Sequence, residues 1–306
     1  MRHVITTAPS PAMRLVKGIL AKSESAFKTD AGQWCGRVEG RADPPPAPAP
    51  RGIMTRFQVD EAEVQGRPVF TVAPRQARRP VQILYVHGGG FVSPLSSFHW
   101  TVIRTLIEYT GAAVTIPIYP LAPVHNYRAA YPLLDDVYCR LLHDHPDGPV
   151  CFCGDSAGGG LALAHAMRCR DSGLRLPDCL VLLSPWVDLT MSNPEAALLE
   201  AEDVMLGISS LMQAGAWWAG GDDPRSPLVS PIFGNLSGLP PVYVFQGTAD
   251  VLAPDARRLH DAVAQAGGTI ELYEYTGAFH VFVGAPFTPE AKDAFSRVAA
   301  VLDALR

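Results

Sequence analysis

Two short motifs hold residues that could do chemistry together: His87-Gly88-Gly89-Gly90 and, about seventy residues later, Gly154-Asp155-Ser156-Ala157-Gly158. A serine with a glycine two positions away on each side suits a sharp strand-to-helix turn, where a bulkier neighbour would collide with backbone. Such a turn lifts Ser156 Oγ into the open. The glycine run after an apolar segment supplies unencumbered backbone N–H groups at a strand end, as the oxyanion of a tetrahedral intermediate requires. One motif offers a nucleophile and the other an oxyanion hole, which together spell acyl transfer.

A serine hydroxyl needs an imidazole within hydrogen-bond reach and a carboxylate to orient that imidazole. Of the nine histidines, His280 alone follows the last predicted strand through a glycine-containing loop, TGAFH. His260 comes too early, inside a predicted helix, and His143, His145 and His165 belong to helices or their ends. For the acid, Asp250 follows the preceding strand in QGTADVLAPD. Asp255 is the close rival, although a carboxylate there also suits a helix N-terminus, and Asp188 suits a cap or hinge. The expected oxyanion donors are the amides of Gly88, Gly89 and Ala157. His87 and Asp155 are read as supports of the glycine loop and the turn.

The elements that must position these groups are legible as alternating strands and helices. Strand-like runs fall near 55–59, 67–72, 81–87, 112–118, 150–154, 179–184, 242–246 and 269–275. Helical patterns fall near 97–109, 129–143, 157–171, 255–266 and 289–305, with a further helix near 12–27. This predicts an α/β fold whose mostly parallel eight-stranded sheet has helices on both faces. PPPAPAP at 44–50 reads as a stiff spacer. From Asp188 to Pro227 the chain has about forty residues between two strands, more than a crossover needs, and reads as an inserted cap. Its apolar residues, among them Met205, Leu206, Leu211, Trp217 and Trp218, suit packing or a substrate pocket.

Composition removes several alternatives. A 306-residue chain with 48% apolar residues can bury a large core, and a net charge of −5 without a basic run argues against nucleic acid. No apolar stretch reaches the roughly 20 residues of a membrane span, and the first twenty residues do not read as a signal peptide. A cytoplasmic enzyme is expected. The six cysteines, Cys35, Cys139, Cys151, Cys153, Cys169 and Cys179, read as free packed thiols. No metal-ligand spacing occurs, so neither a metal nor a cofactor is expected.

HGGGF at 87–91 and GDSAGG at 154–159 make the chain resemble the hormone-sensitive-lipase-like group of α/β-hydrolase esterases. YPLAP at 119–123, LSPWVDLT at 183–190 and SPLVSPIFGNLSGLPPVYVFQGTADVL at 226–252 also resemble that group's segments, so the likeness covers most of residues 80–285. It implies catalytic Ser156, Asp250 and His280. It also implies a cap from residues 1–50 and 188–226 over a catalytic core of 51–187 and 227–306. The group's Asp-Pro-Leu is Asp250-Val251-Leu252 here, and Pro120 and Val124 replace its arginine and glutamate. The implied activity is serine carboxylester hydrolysis of short- to medium-chain esters. Lactone hydrolysis by the same residues is the alternative. Gibberellin receptors resemble this group but lack the histidine, so a non-catalytic small-molecule receptor fits less well. The small-molecule partner is thus an ester or lactone, and the resemblance admits a homodimer through a self-paired edge strand or helix.

Overall fold

The computed structural model describes residues 1–305 apart from positions 7, 24, 29–35, 37, 41 and 77–79. Nine strands form one sheet in the order β1-β9-β8-β7-β6-β4-β5-β3-β2. They are β1 (Arg2–Thr6), β2 (Phe57–Val64), β3 (Arg67–Pro74), β4 (Gln82–Val86), β5 (Ala113–Pro117), β6 (Val150–Asp155), β7 (Cys179–Leu183), β8 (Val242–Gly247) and β9 (Ile270–Tyr275). Strands β2 and β3 pair antiparallel, β3 joins β5 antiparallel, and the remaining pairs are parallel. A parallel sheet covered on both faces explains the near-continuous apolar runs that mark its central strands.

Period-two alternation divides those runs between two cores. Phe152, Leu180 and Val244 face one cluster, while Cys151, Cys153, Cys179 and Val181 face the other. The first is covered by helices Tyr127–Asp144, Ala157–Asp171 and Ala253–Gln265, the second by Ser97–Thr110 and Pro289–Asp303. Cys151, Cys153, Cys169 and Cys179 are free and buried; Cys139 is free but exposed, and Cys35 lies outside the described residues.

The sheet has one strand more than the sequence predicts. Residues 2–6 pair in parallel with β9, Arg2 opposite Leu272, and as an edge strand with Val4 65% exposed they carry little hydrophobic signal. The segment predicted as a strand over 55–59 begins instead as a short helix, Arg51–Arg56, and enters β2 only at Phe57. The helix predicted over 12–27 is Pro11–Leu20, followed by a 3-10 turn at Ala26–Lys28. Residues 44–50 form neither helix nor strand. They lie against the body, because the Ala47 N–H donates to Leu95 O at 2.7 Å and the Ala47 carbonyl accepts from Trp100 Nε1 at 2.8 Å.

The insertion contains helices Glu195–Leu199 and Ile208–Ala219. Among the described residues no helix is long and apolar enough to cross a membrane, and no group of three metal-ligating side chains occurs.

Candidate active site

Ser156 stands between β6 and the helix Ala157–Asp171 with φ +53° and ψ −123°, a conformation costly for a non-glycine residue. Backbone bonds impose it. The Ser156 N–H donates to Leu183 O at 2.9 Å, and its carbonyl accepts from Trp186 N at 2.9 Å and Gly160 N at 3.2 Å. The flanking glycines are steric necessities: a Cβ on Gly154 would sit 2.5 Å from Gly158 O, and one on Gly158 would strike the Val86 and His87 carbonyls. The local sequence thus folds into a strained elbow because only glycine fits beside it.

Two further loops meet the elbow. His280 follows β9, and the next residue, Val281, at φ +48°, donates its N–H to Ser184 Oγ at 3.0 Å. His280 Nε2 lies 2.9 Å from Ser156 Oγ, and Nδ1 lies 2.8 Å from Asp250 Oδ2. All three side chains are buried. An ionised carboxylate only accepts, so Nδ1 carries the proton and Nε2 accepts from the serine hydroxyl. Asp250 also accepts from Gln246 Nε2 at 2.7 Å and Leu252 N at 2.9 Å, which fixes both its oxygens. Burial, the largest single influence, lowers the His280 pKa, but the facing Asp250 carboxylate together with Asp203 and Asp155 outweighs it, and the net shift is upward.

Asp255 does not reach His280. Its carboxyl accepts from Asn193 at 3.2 Å and is raised to about 6 by burial. Asp188 is tied to Thr190 and Ser192 at the start of the insertion. His260 faces Asp261 at 3.0 Å.

The glycine loop corrects one expectation. The Gly88 N–H donates to Asp155 Oδ1 at 2.9 Å, so it is occupied and unavailable to an oxyanion. That oxygen also accepts from Tyr85 OH at 2.5 Å, while Asp155 Oδ2 is 3.6 Å from His99 Nε2. Asp155 therefore ties the elbow to the glycine loop and uses the first glycine amide to do so. Gly89 and Gly90, both at positive φ, line the cavity instead. His87 donates from Nδ1 to Gly88 O at 2.8 Å and stacks on Tyr119 at 4.4 Å. Burial lowers its pKa to about 3, so the ring is neutral. Tyr119 OH donates to His87 O, and Ala122 N to Phe91 O, both at 2.8 Å; the YPLAP segment thus holds the loop from behind.

A cavity of about 210 Å³ opens onto Ser156 and His280, walled by Phe27, Ser93, Phe98, Met205, Leu206 and Leu211. The insertion contributes three of these side chains. Trp217 and Trp218 are not among the lining residues; Trp218 is buried and stacks on Phe91 at 4.3 Å, bracing the glycine loop. Sequence reasoning missed Phe27, which stands over Gly90, and His99, which accepts from Ser96 N at 2.9 Å and faces Asp155. Ser96 with His99 at the start of a helical run is a capping pattern, so only its helix-start role was legible.

A family model described as alpha/beta hydrolase fold matches residues 83–284. An acetyl-hydrolase of Streptomyces hygroscopicus is 35% identical over 222 residues, 72% of this chain and 74% of its own length. An esterase of Acinetobacter venetianus is 33% identical over 256 residues, 80% and 84% of the two chains. A solved esterase of the bacterial hormone-sensitive lipase family superposes with a TM-score of 0.81 at 28% identity, covering 98% of this chain and 99% of the other. The chain belongs to the α/β-hydrolase fold family, in its hormone-sensitive-lipase-like group.

Proposed function

We propose that this carboxylic ester hydrolase uses Ser156 as nucleophile, His280 as general base and acid, and Asp250 as the group that orients the imidazole. The observation that carries the reading is the unbroken chain Asp250–His280–Ser156, at 2.8 and 2.9 Å, ending at a cavity. In the first half-reaction the Ser156 hydroxyl proton passes to His280 Nε2 as Oγ bonds to the ester carbonyl carbon. The tetrahedral oxyanion is received by the backbone N–H groups of Gly89, Gly90 and Ala157. Collapse expels the alcohol, which takes the proton from His280. Water then repeats the sequence on the acyl-enzyme, and the acid departs. Each well-aimed donor in such a hole is worth about 3 kcal/mol.

The acyl group is short. The cavity of about 210 Å³ falls below the roughly 300–1,000 Å³ of sites for larger ligands, and the acetyl-hydrolase named above points the same way. Residues 1–50 and 188–226 act as the cap over a catalytic core of 51–187 and 227–306. Support comes from Phe27, Met205, Leu206 and Leu211, which wall the cavity.

The test is hydrolysis of p-nitrophenyl acetate, butyrate, octanoate and palmitate, with several lactones, by the wild type and Ser156→Ala. Turnover is expected to peak at acetate or butyrate and to fall by about 10⁴-fold or more in the variant, with circular dichroism unchanged. Undiminished turnover in Ser156→Ala would overturn the mechanism. Preference for lactones or palmitate would overturn the substrate class.

A further inference from the structure

Behind the acid lies a second carboxylate that the mechanism does not use. Asp203, in the insertion, is fully buried. Its Oδ1 accepts from Met205 N at 2.8 Å and Leu206 N at 2.9 Å, and its Oδ2 accepts from Val251 N at 2.9 Å. Met205 and Leu206 wall the cavity, and Val251 directly follows Asp250. Next along the chain, Leu252 N donates to Asp250 itself, so two successive amides of the acid loop are held by two different carboxylates. The Asp203 carbonyl in turn accepts from Lys28 Nζ, the residue after Phe27, and Ser25 Oγ donates to the Met205 carbonyl. One side chain thus joins the pocket wall to the acid loop, and its backbone joins both to the N-terminal segment.

We propose that Asp203 is a positioning residue for the Asp250–His280 pair, fixing the acid loop to the pocket wall so that wall and catalytic pair share one geometry. The inference rests on the serine mechanism above. Burial and the Asp250 charge raise the Asp203 pKa, while His280 and the Val251 and Met205 amides lower it, so the buried carboxylate beside a second acid is held by the N–H groups of the very segments it joins. The charged groups facing it are Asp250 from the loop after β8 and His280 from the loop after β9, with Lys28 on its carbonyl. The imidazolium formed during attack lies in the field of both carboxylates, and Asp203 is among the groups that raise the His280 pKa.

Two variants separate the roles. In Asp203→Ser the hydroxyl can still accept from the amides two and three residues on, as in a Ser/Thr turn, but it is too short to reach Val251. Asp203→Asn keeps the side-chain length, removes the charge and turns an amide toward an N–H donor. Both are expected to lower kcat on p-nitrophenyl acetate about tenfold, to leave KM within about twofold, and to move the acid limb of the kcat/KM–pH profile to lower pH. A lowered melting temperature with wild-type kcat and an unmoved acid limb would reduce Asp203 to scaffold and overturn the proposal. Ser156→Ala, assayed alongside, keeps the two readings apart. If it is dead while the Asp203 variants behave as wild type, only this inference fails; turnover surviving Ser156→Ala removes the serine mechanism and this inference with it.

Discussion

Among the described residues stand two nucleophile–histidine–aspartate groupings, and their difference shows what geometry adds to residue type. In one, Ser156 and Asp250 sit on opposite nitrogens of His280. In the other, between helices Tyr127–Asp144 and Ala157–Asp171, Cys169 Sγ lies 3.7 Å and Asp135 Oδ1 3.1 Å from the same Nε2 of His165, while Nδ1 has no partner among the described residues. A ring that meets acid and nucleophile through one nitrogen cannot have its tautomer fixed by the acid at one nitrogen while the other takes the nucleophile's proton. The surroundings differ as sharply. Asp135 is also gripped by Arg168, at 2.8 Å, His165 is stacked on Phe152, and burial raises the Cys169 thiol to about 12. Burial lowers the pKa of His165, whereas Asp250 carries that of His280 upward. The second grouping is core packing; the first faces a cavity.

The contrast can be broken most forcefully at the acid. Asp250→Asn presents an amide to Nδ1, disfavours the tautomer that frees Nε2, and is expected to lower kcat by about 10³–10⁴-fold with circular dichroism unchanged. A loss under tenfold would mean that orientation through Nδ1 is not what separates the two histidines. A smaller effect is expected from pH. His280 must be neutral to accept the serine proton, and its pKa is raised above the ordinary 6.5; the base form is therefore lost as pH falls through that raised value. The acid limb of kcat/KM should lie above pH 6.5 and disappear with Ser156→Ala, and a limb well below it would contradict the charge arrangement. The smallest effect belongs to the other grouping. Cys169→Ala should leave kcat/KM within about twofold and cost about 1 kcal/mol in thermal or denaturant unfolding, as removal of one buried sulfur does.

Much of this was legible in the residues. The strands from β4 onward announce themselves because a parallel sheet covered on both faces demands long apolar runs. Ser156, Asp250 and His280, which we propose as the catalytic residues, stand within hydrogen-bond reach of one another, and each is visible in the sequence because it follows a strand in a loop with its own glycine or polar signature. Gly88 reads as an oxyanion donor because nothing in HGGG reveals that Asp155, from another strand, accepts its N–H. Asp203 was invisible for the same reason, since its reach to Val251 spans 48 positions of chain and only the turn it caps has a local signature. The tryptophans of the insertion suggested a pocket wall because type and location cannot distinguish lining a cavity from bracing the loop beside it.

The first strand has a consequence for assembly. By pairing with β9 across most of the chain's length, residues 2–6 turn what would be a terminal strand into an interior one. Until that pairing forms, β9 presents an open row of backbone donors and acceptors, the kind of edge on which chains aggregate. The outer margin left after docking is five residues long, with Arg2 and His3 beside an exposed Val4, a shorter template for another chain. Residues 2–6 thus guard a strand far along the sequence, and until they dock the edge of β9 stays open to pairing with neighbouring chains.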